Sequence, residues 1–330
     1  MSILDLASVG EGETIAQSFA GSVKIAQLAE AAGYHRIWYA EHHSIDSIAS
    51  SATAVLIAHI AANTSTIRLG AGGIMLPNHA PLVIAEQFGT LEILHPGRID
   101  LGLGRAPGSD QAAMRALHRT PLDSERFPQD VLELQAFLGS TSPIPGVHAI
   151  PGEGTNVPLY ILGSSTFGAQ LAAQLGLPYA FASHFAPRFL ETALTIYREQ
   201  FRPSEQLDAP YVMAAVGVLA AEDADVAWAE FADVRRNWAR SILSRGGGPR
   251  LTLDEVDLIL GTPRAAMVDE MLHYSAVGTP ADVITYLDEF QRATAADELI
   301  TVHRALSVDS RLRSVALLAN ALNLAEITPA

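Results

Sequence analysis

Eight short runs, mostly apolar on both faces, alternate with amphipathic helical stretches along this 330-residue chain, and that alternation restricts its fold more than any other feature. The runs cover residues 3–7, 37–40, 67–72, 99–103, 158–162, 179–182, 211–219 and 298–302. A strand that is apolar on both faces needs cover on both, which parallel strands obtain from the helices that connect them. Two stretches break the alternation: residues 139–157, rich in Gly, Pro and Ser, and residues 245–278, where Gly246-Gly247-Gly248-Pro249 precedes a mixed helical segment. Both read as insertions at barrel loops. Eight βα units with two insertions and no shift of composition predict an α/β protein, a single (β/α)8 TIM barrel over residues 1–330, in preference to an open doubly wound sheet.

The helices are legible in the same way. Ile15, Phe19, Val23 and Ala26 recur at spacings of four, four and three, which predicts one apolar stripe against the sheet. A later helix opens at Thr279-Pro280-Ala281-Asp282, with Thr279 as cap, Pro280 at the first position and Asp282 at the positive end of the dipole. Val283, Leu287 and Phe290 then form its inner stripe.

Composition narrows the partners. With 49% hydrophobic and 17% charged residues the chain has material for a large core and no disordered signature. Its formal charge of −15, with no run of Lys and Arg, disfavours nucleic acid and anionic membranes. An anionic cofactor would have to be held by a few placed arginines and backbone amides. The absence of cysteine excludes disulfides, thiolate nucleophiles and cysteine metal sites. The first residues, Met1-Ser2-Ile3-Leu4-Asp5, lack the pattern of a secretory signal, so a cytoplasmic location is expected.

In barrels of this kind chemistry sits at the C-terminal ends of the strands. Glu41-His42-His43 follows the second strand and puts three ionisable groups in succession there, with histidine the natural proton carrier near neutral pH. The alternative is that the rings merely hydrogen-bond the adjoining loop. Gly72-Gly73 at the third strand permits close approach of a flat ligand to the backbone, or serves as an ordinary turn. Gly104-Arg105 after the fourth can grip a phosphate through a guanidinium fork, or form a surface ion pair. Gly163-Ser164-Ser165-Thr166 precedes a helical run at 168–175 and makes an anion seat, or a simple cap. A metal reading gathers Glu41, His42, His79, His184 and His303 at the mouth, but no His-x-His after the first strand and no Asp after the last completes a familiar hydrolase set, so no metal is expected.

Taken in order, the segments 32–43 (through Trp38-Tyr39-Ala40-Glu41-His42-His43), 73–79 (Gly73-Ile74-Met75-Leu76-Pro77-Asn78-His79) and 97–108 (through Gly102-Leu103-Gly104-Arg105-Ala106-Pro107-Gly108) resemble the bacterial luciferase-like monooxygenase family. The resemblance continues through Leu162-Gly163-Ser164-Ser165, Phe181-Ala182-Ser183-His184, Val277-Gly278-Thr279-Pro280 and Arg311-Leu312-Arg313-Ser314, nearly the whole chain. It implies a TIM barrel that binds FMN, usually as reduced flavin delivered by a separate flavin reductase, and uses oxygen to oxidise a small organic substrate. It also implies a homodimer.

By position, the resemblance gives His42 the catalytic role of managing a proton at the flavin. Arg105 with Gly163, Ser164, Ser165 and Phe167 would hold the phosphate, Gly72 and Gly73 would lie against the ring, and Ala7 would line the pocket. His43, His79, Ser183, His184 and His303 would stand on the substrate side, and residues 245–278 correspond to a variable region that closes the site in relatives. The chain departs from the pattern after the last strand, where an aromatic residue followed by Asp-His gives way to Val302-His303-Arg304. It also lacks the cysteine of luciferase near the fourth strand, so light emission is not implied. The competing functions are hydride transfer with a deazaflavin coenzyme, which needs no oxygen, a flavin carrier without catalysis, and a metal hydrolase.

Overall fold

The computed structural model describes residues 1–105, 111–243 and 251–324; the Ala106-Pro107-Gly108 and Gly246-Gly247-Gly248-Pro249 segments lie outside them. Nine strands form one parallel sheet: β1 (Ser2–Asp5), β2 (Arg36–Tyr39), β3 (Arg68–Met75), β4 (Ile99–Gly104), β5 (Leu159–Gly163), β6 (Tyr179–Phe181), β7 (Val212–Ala220), β8 (Ser275–Gly278) and β9 (Glu298–His303). The helices of the first half are α1 (Ile15–Ala31), α2 (Thr53–Ala61), α3 (Pro81–Leu94), α4 (Gln111–Ala116) and α5 (Phe127–Leu138). Those of the second are α6 (Thr166–Leu175), α7 (Leu190–Gln200), α8 (Ala224–Leu243), α9 (Leu253–Leu260), α10 (Ala265–Met271), α11 (Pro280–Thr294) and α12 (Val308–Leu322).

Eight of the strands close into a barrel, β1 to β7 in order followed by β9, because β6 pairs with β7 and β9 pairs with β1. The predicted barrel is therefore present, with every expected run falling on a strand of it. The 245–278 segment departs from a plain loop insertion. It holds α9, α10 and the extra strand β8, which pairs in parallel with the outer end of β7 at Gly217–Ala220 while β9 pairs with Met213–Val218. β7 is long enough, at nine residues, to pair with β6 and then β8 along one edge while β9 pairs along the other.

Strand alternation divides the core in two. Leu4, Trp38, Tyr160, Met213, Ile300 and Val302 pack inside the barrel. A larger set, including Ile37, Leu69, Leu101, Ile161 and Val216, packs between the barrel and the helices. α11 follows expectation: Thr279 accepts the Asp282 amide, Asp282 returns the contact to the Thr279 amide at 2.9 Å, and Val283, Leu287 and Phe290 are buried. α1 follows it only in part. Its buried face carries Ser18, Gly21, Ser22, Ile25, Ala26 and Ala29, while Ile15 is exposed and Phe19 and Val23 are half-buried. Close packing on its neighbours selected small residues there over bulky ones: a side chain at Gly21 would strike Val308, and the Ser22 hydroxyl donates to Asp5 at 2.6 Å.

The N-terminal end of the barrel is plugged by charge. Arg36, at the start of β2, donates from Nη1 to Asp100 of β4 and to the Tyr160 hydroxyl, both at 2.7 Å, and its Nε lies 3.0 Å from Glu298 of β9. Asp100 also pairs with Arg68 of β3 and accepts Trp38 Nε1 at 3.1 Å; Glu298 accepts the hydroxyls of Tyr211, at 2.7 Å, and Ser2. Burial opposes the charge on Arg36, but Asp100 and Glu298 outweigh it and raise its pKa.

Candidate active site at the C-terminal mouth

The alternation that fills the barrel interior, carried past the strand ends, selects what faces the mouth. From Trp38 and Ala40 on β2 the next inward position is His42; from Ala180 on β6 it is His184, two alternations on; from Ile300 and Val302 on β9 it is Arg304. The electrostatics agree. The pKa of His184 is held well below the usual histidine value, first by burial, then by the charge of Arg304, then by His42, so both charges are felt at His184. His184 is thus a neutral imidazole, and its buried Nδ1 has no hydrogen-bond partner. His42 is half-buried at the end of β2.

The same alternation turns Glu41 sideways, towards the end of β3. Glu41 is 1% exposed and accepts from His43 Nε2 at 2.8 Å, His79 Nε2 at 3.0 Å, the Met75 amide at 2.9 Å and Asn78 Nδ2 at 3.3 Å. Burial would raise its pKa, yet the bonds from His43 and His79, the charge of His79 and the Met75 amide overcome it and bring it down to about 2. His43 and His79, expected on the substrate side, are therefore ligands of one carboxylate that ties the β2 and β3 loops together.

Two further expectations are relocated. His303 faces the helical layer, because it alternates with the inward Val302: its Nδ1 lies 2.8 Å from the Ser314 hydroxyl on α12, its Nε2 lies 3.4 Å from Thr301, and burial lowers its pKa to about 3. The Ser183 hydroxyl is spent on the Ala215 carbonyl.

On the other side of the mouth the structure brings together the residues expected at a phosphate. Arg105, exposed at the end of β4, lays its guanidinium over the Phe167 ring with 4.2 Å from carbon to ring centre, and its Nε donates to the Ser124 carbonyl at 3.3 Å. The turn Gly163-Ser164-Ser165 leads directly into α6, and the N-cap residue Ser165 makes no side-chain cap, so the first-turn amides of α6 remain available to an anion. Between the two sides, the Gly72-Gly73 peptide is cis and coincides with a register shift between β3 and β4. A Cβ on Gly73 would stand 2.7 Å from the Gly102 carbonyl, where the backbone leaves no room, and one on Gly72 would press on Leu4 and Trp38. Ala7, buried after β1 with φ of +48°, donates its amide to Asp5 at 3.0 Å and holds the chain in the left-handed turn that leads from β1.

Arg304 is the residue that motif reading missed. It is 7% exposed, its amide extends the ladder to the Val218 carbonyl at 2.9 Å, and its side chain donates to the His184 carbonyl and stacks 5.3 Å from the Trp238 ring of α8. Counting in twos beyond Ile300 and Val302 would have found it.

The comparisons with known proteins follow this geometry. The luciferase-like monooxygenase family model matches residues 1–297. A luciferase-like monooxygenase of Escherichia coli K12 is 47% identical over 316 residues, covering 95% of this chain and 94% of that protein. An N-acetyl-S-alkylcysteine monooxygenase of Bacillus subtilis is 43% identical over 195 residues, 55% of this chain and 56% of that protein. The crystal structure of apo-MsnO8 superposes with a TM-score of 0.87 at 35% identity, covering 100% of this chain and 98% of that one. Two more distant structures share the fold: the oxygenating constituent of 3,6-diketocamphane monooxygenase in complex with FMN, from Pseudomonas putida (TM-score 0.73, 16% identity, 98% and 97% covered), and an F420-dependent secondary alcohol dehydrogenase (0.69, 15%, 92% and 95%). Family model, whole-length relatives and the barrel's own geometry agree, and the chain belongs to the luciferase-like monooxygenase family.

Proposed function

We propose that this protein is a flavin-dependent monooxygenase that takes reduced FMN from a separate reductase and uses oxygen to oxidise a small organic substrate. The observation that carries the flavin reading is the pairing, across β4 and β5, of the Arg105 guanidinium with Phe167 and the open amides of α6. A guanidinium and a helix N-terminus together suit a phosphate monoester, since one supplies a fork of charged donors and the other oriented amides. Arg105, Gly163, Ser164, Ser165 and Phe167 hold that group. Gly72 and Gly73 offer a stretch of backbone without side chains to a flat ring, and Ala7 closes the pocket beside β1.

A bound reduced flavin supplies the electrons with which oxygen is activated. His42 would hold or deliver a proton at the ring, a role that an imidazole at the end of β2 suits. His184, kept neutral by burial and by Arg304, does not compete for that proton. Glu41 fixes the loops that carry His42 and His79 and acts as a positioning residue.

The experiment is a titration of the purified protein with FMN and with riboflavin. Saturable binding of FMN is expected, and Arg105→Ala should weaken FMN by about tenfold or more while leaving riboflavin unchanged, because only FMN carries the phosphate. A protein that binds no flavin, oxidised or reduced, is not the enzyme described here.

A further inference from the structure

Arg304, just past the end of β9, is a buried cation without a counter-ion among the described residues. Among the described residues no carboxylate stands within ion-pair distance of Arg304, although the side chain is 7% exposed. One nitrogen donates to the His184 carbonyl and the Nε has no partner. The guanidinium is seated by shape: a Cβ on Gly217 would lie 2.1 Å from Nε, so glycine at that point of β7 is what lets it lie flat. Trp238 covers one of its faces. Burial lowers its pKa only to about 10, so it is charged at neutral pH. Taking an unpaired charge out of water is among the costliest acts in folding, and chains rarely retain it without a use.

We infer that Arg304, flanked by neutral His184 and backed by Trp238, is an anion subsite that selects substrates bearing a carboxylate. The inference rests on the reading of this mouth as the substrate side of a flavin site. It adds the substrate's charge. The subsite suits a monoanion more than a phosphate, since the guanidinium is single, one of its nitrogens is already engaged and another lies against β7. It is also separate in the fold from Arg105: β9 and β6 carry Arg304 and His184, whereas β4 and β5 lead to the phosphate seat. A local cation is needed in any case, because the chain as a whole carries −15 and repels anions.

Calorimetric titration of the full chain with N-acetylmethionine and with its carboxamide tests this, since the two differ only in the charged group. The wild type is expected to bind the acid at least about tenfold more tightly than the amide, as desolvated guanidinium–carboxylate pairs do. Arg304→Met should bring the two affinities to within about twofold, and Arg304→Lys should retain part of the preference, since an ammonium keeps the charge on a shorter, differently shaped side chain. Equal affinities in the wild type, no binding of either probe, or an unchanged preference in Arg304→Met would each overturn the inference; the wild-type comparison stands even if a variant fails to fold. Loss of the preference for FMN over riboflavin in Arg304→Met would reassign the cation to the cofactor phosphate. Failure of the wild type to bind flavin sinks the proposed monooxygenase but leaves the acid-over-amide preference to be read on its own.

Discussion

At the N-terminal end of the barrel Arg36 is 4% exposed and meets Asp100 and Glu298 at 2.7 and 3.0 Å; at the C-terminal mouth Arg304 is 7% exposed and meets no carboxylate among the described residues. The burial is nearly equal and the pairing is opposite. Even the pKa shifts run opposite ways, raised for Arg36 by its acidic neighbours and lowered for Arg304 by burial alone. A paired charge holds strands in register and asks nothing of solvent or ligand. An unpaired one is a standing demand for an anion, and its place at the strands' C-terminal ends, where barrels do their chemistry, identifies whose anion it is.

The comparison would break first at Asp100. Asp100→Asn leaves Arg36 with Glu298 and takes from Arg68 its carboxylate partner, and removing one member of a buried ion network costs about 3 to 5 kcal/mol. Denaturant unfolding should show that loss with flavin affinity unchanged. A cost below about 1 kcal/mol would mean that the plug is as loosely coupled to folding as surface pairs are.

Glu41 sharpens the contrast, because it lies near the mouth yet is fully paired. If pairing rather than position decides, it should behave like the plug. Its carboxyl titrates at about 2 in the folded chain against an ordinary 4.5, so its contribution is complete above 4.5 and is lost as pH falls through about 2. The shift corresponds to about 3 kcal/mol. Glu41→Gln should lower stability at neutral pH by about that amount and flatten the acid limb of the stability curve between those two values. A variant whose acid limb stays as steep as the wild type's would remove Glu41 from the account.

How much of this was readable beforehand follows from the same physics. The eight barrel strands were legible because burial on both faces leaves an apolar run that no surface element imitates. β8 was not: Ser275-Ala276-Val277-Gly278 is short and small-sided, and only its pairing with the projecting end of β7 makes it a strand. The face of α1 was read only in part, because Phe19, Val23 and Ala26 meet the core while its closest packing is made by small residues such as Gly21 and Ser22 that carry no apolar signal. In the site, Arg105, Gly163 and the start of α6 lay next to strand ends and could be placed by position. The plug could not, since Arg36, Arg68, Asp100 and Glu298 are far apart in sequence and become one layer only through the register, in which Arg36 faces Arg68 directly. Arg304 stood in the sequence only as part of the departure after the last strand, and the period of two from Ile300 and Val302 is what turns it inward.

The smallest expected effect is the one that separates the two ends most cleanly. Removing a charge from the plug must destabilise, but Arg304→Met removes an uncompensated buried charge and puts an apolar chain of similar length in its place. The loss of the bond to the His184 carbonyl, worth about 1 to 3 kcal/mol when the donor is charged, is offset by ending the desolvation penalty. Stability in denaturant should therefore stay within about 1 kcal/mol of the wild type or rise. Because the Trp238 ring loses the cation above it, its fluorescence should shift in the folded state without a matching change in the unfolding midpoint. A loss above about 2 kcal/mol would show that Arg304 holds the mouth together much as Arg36 holds the base, and the asymmetry between the two ends would then be one of partners rather than of purpose.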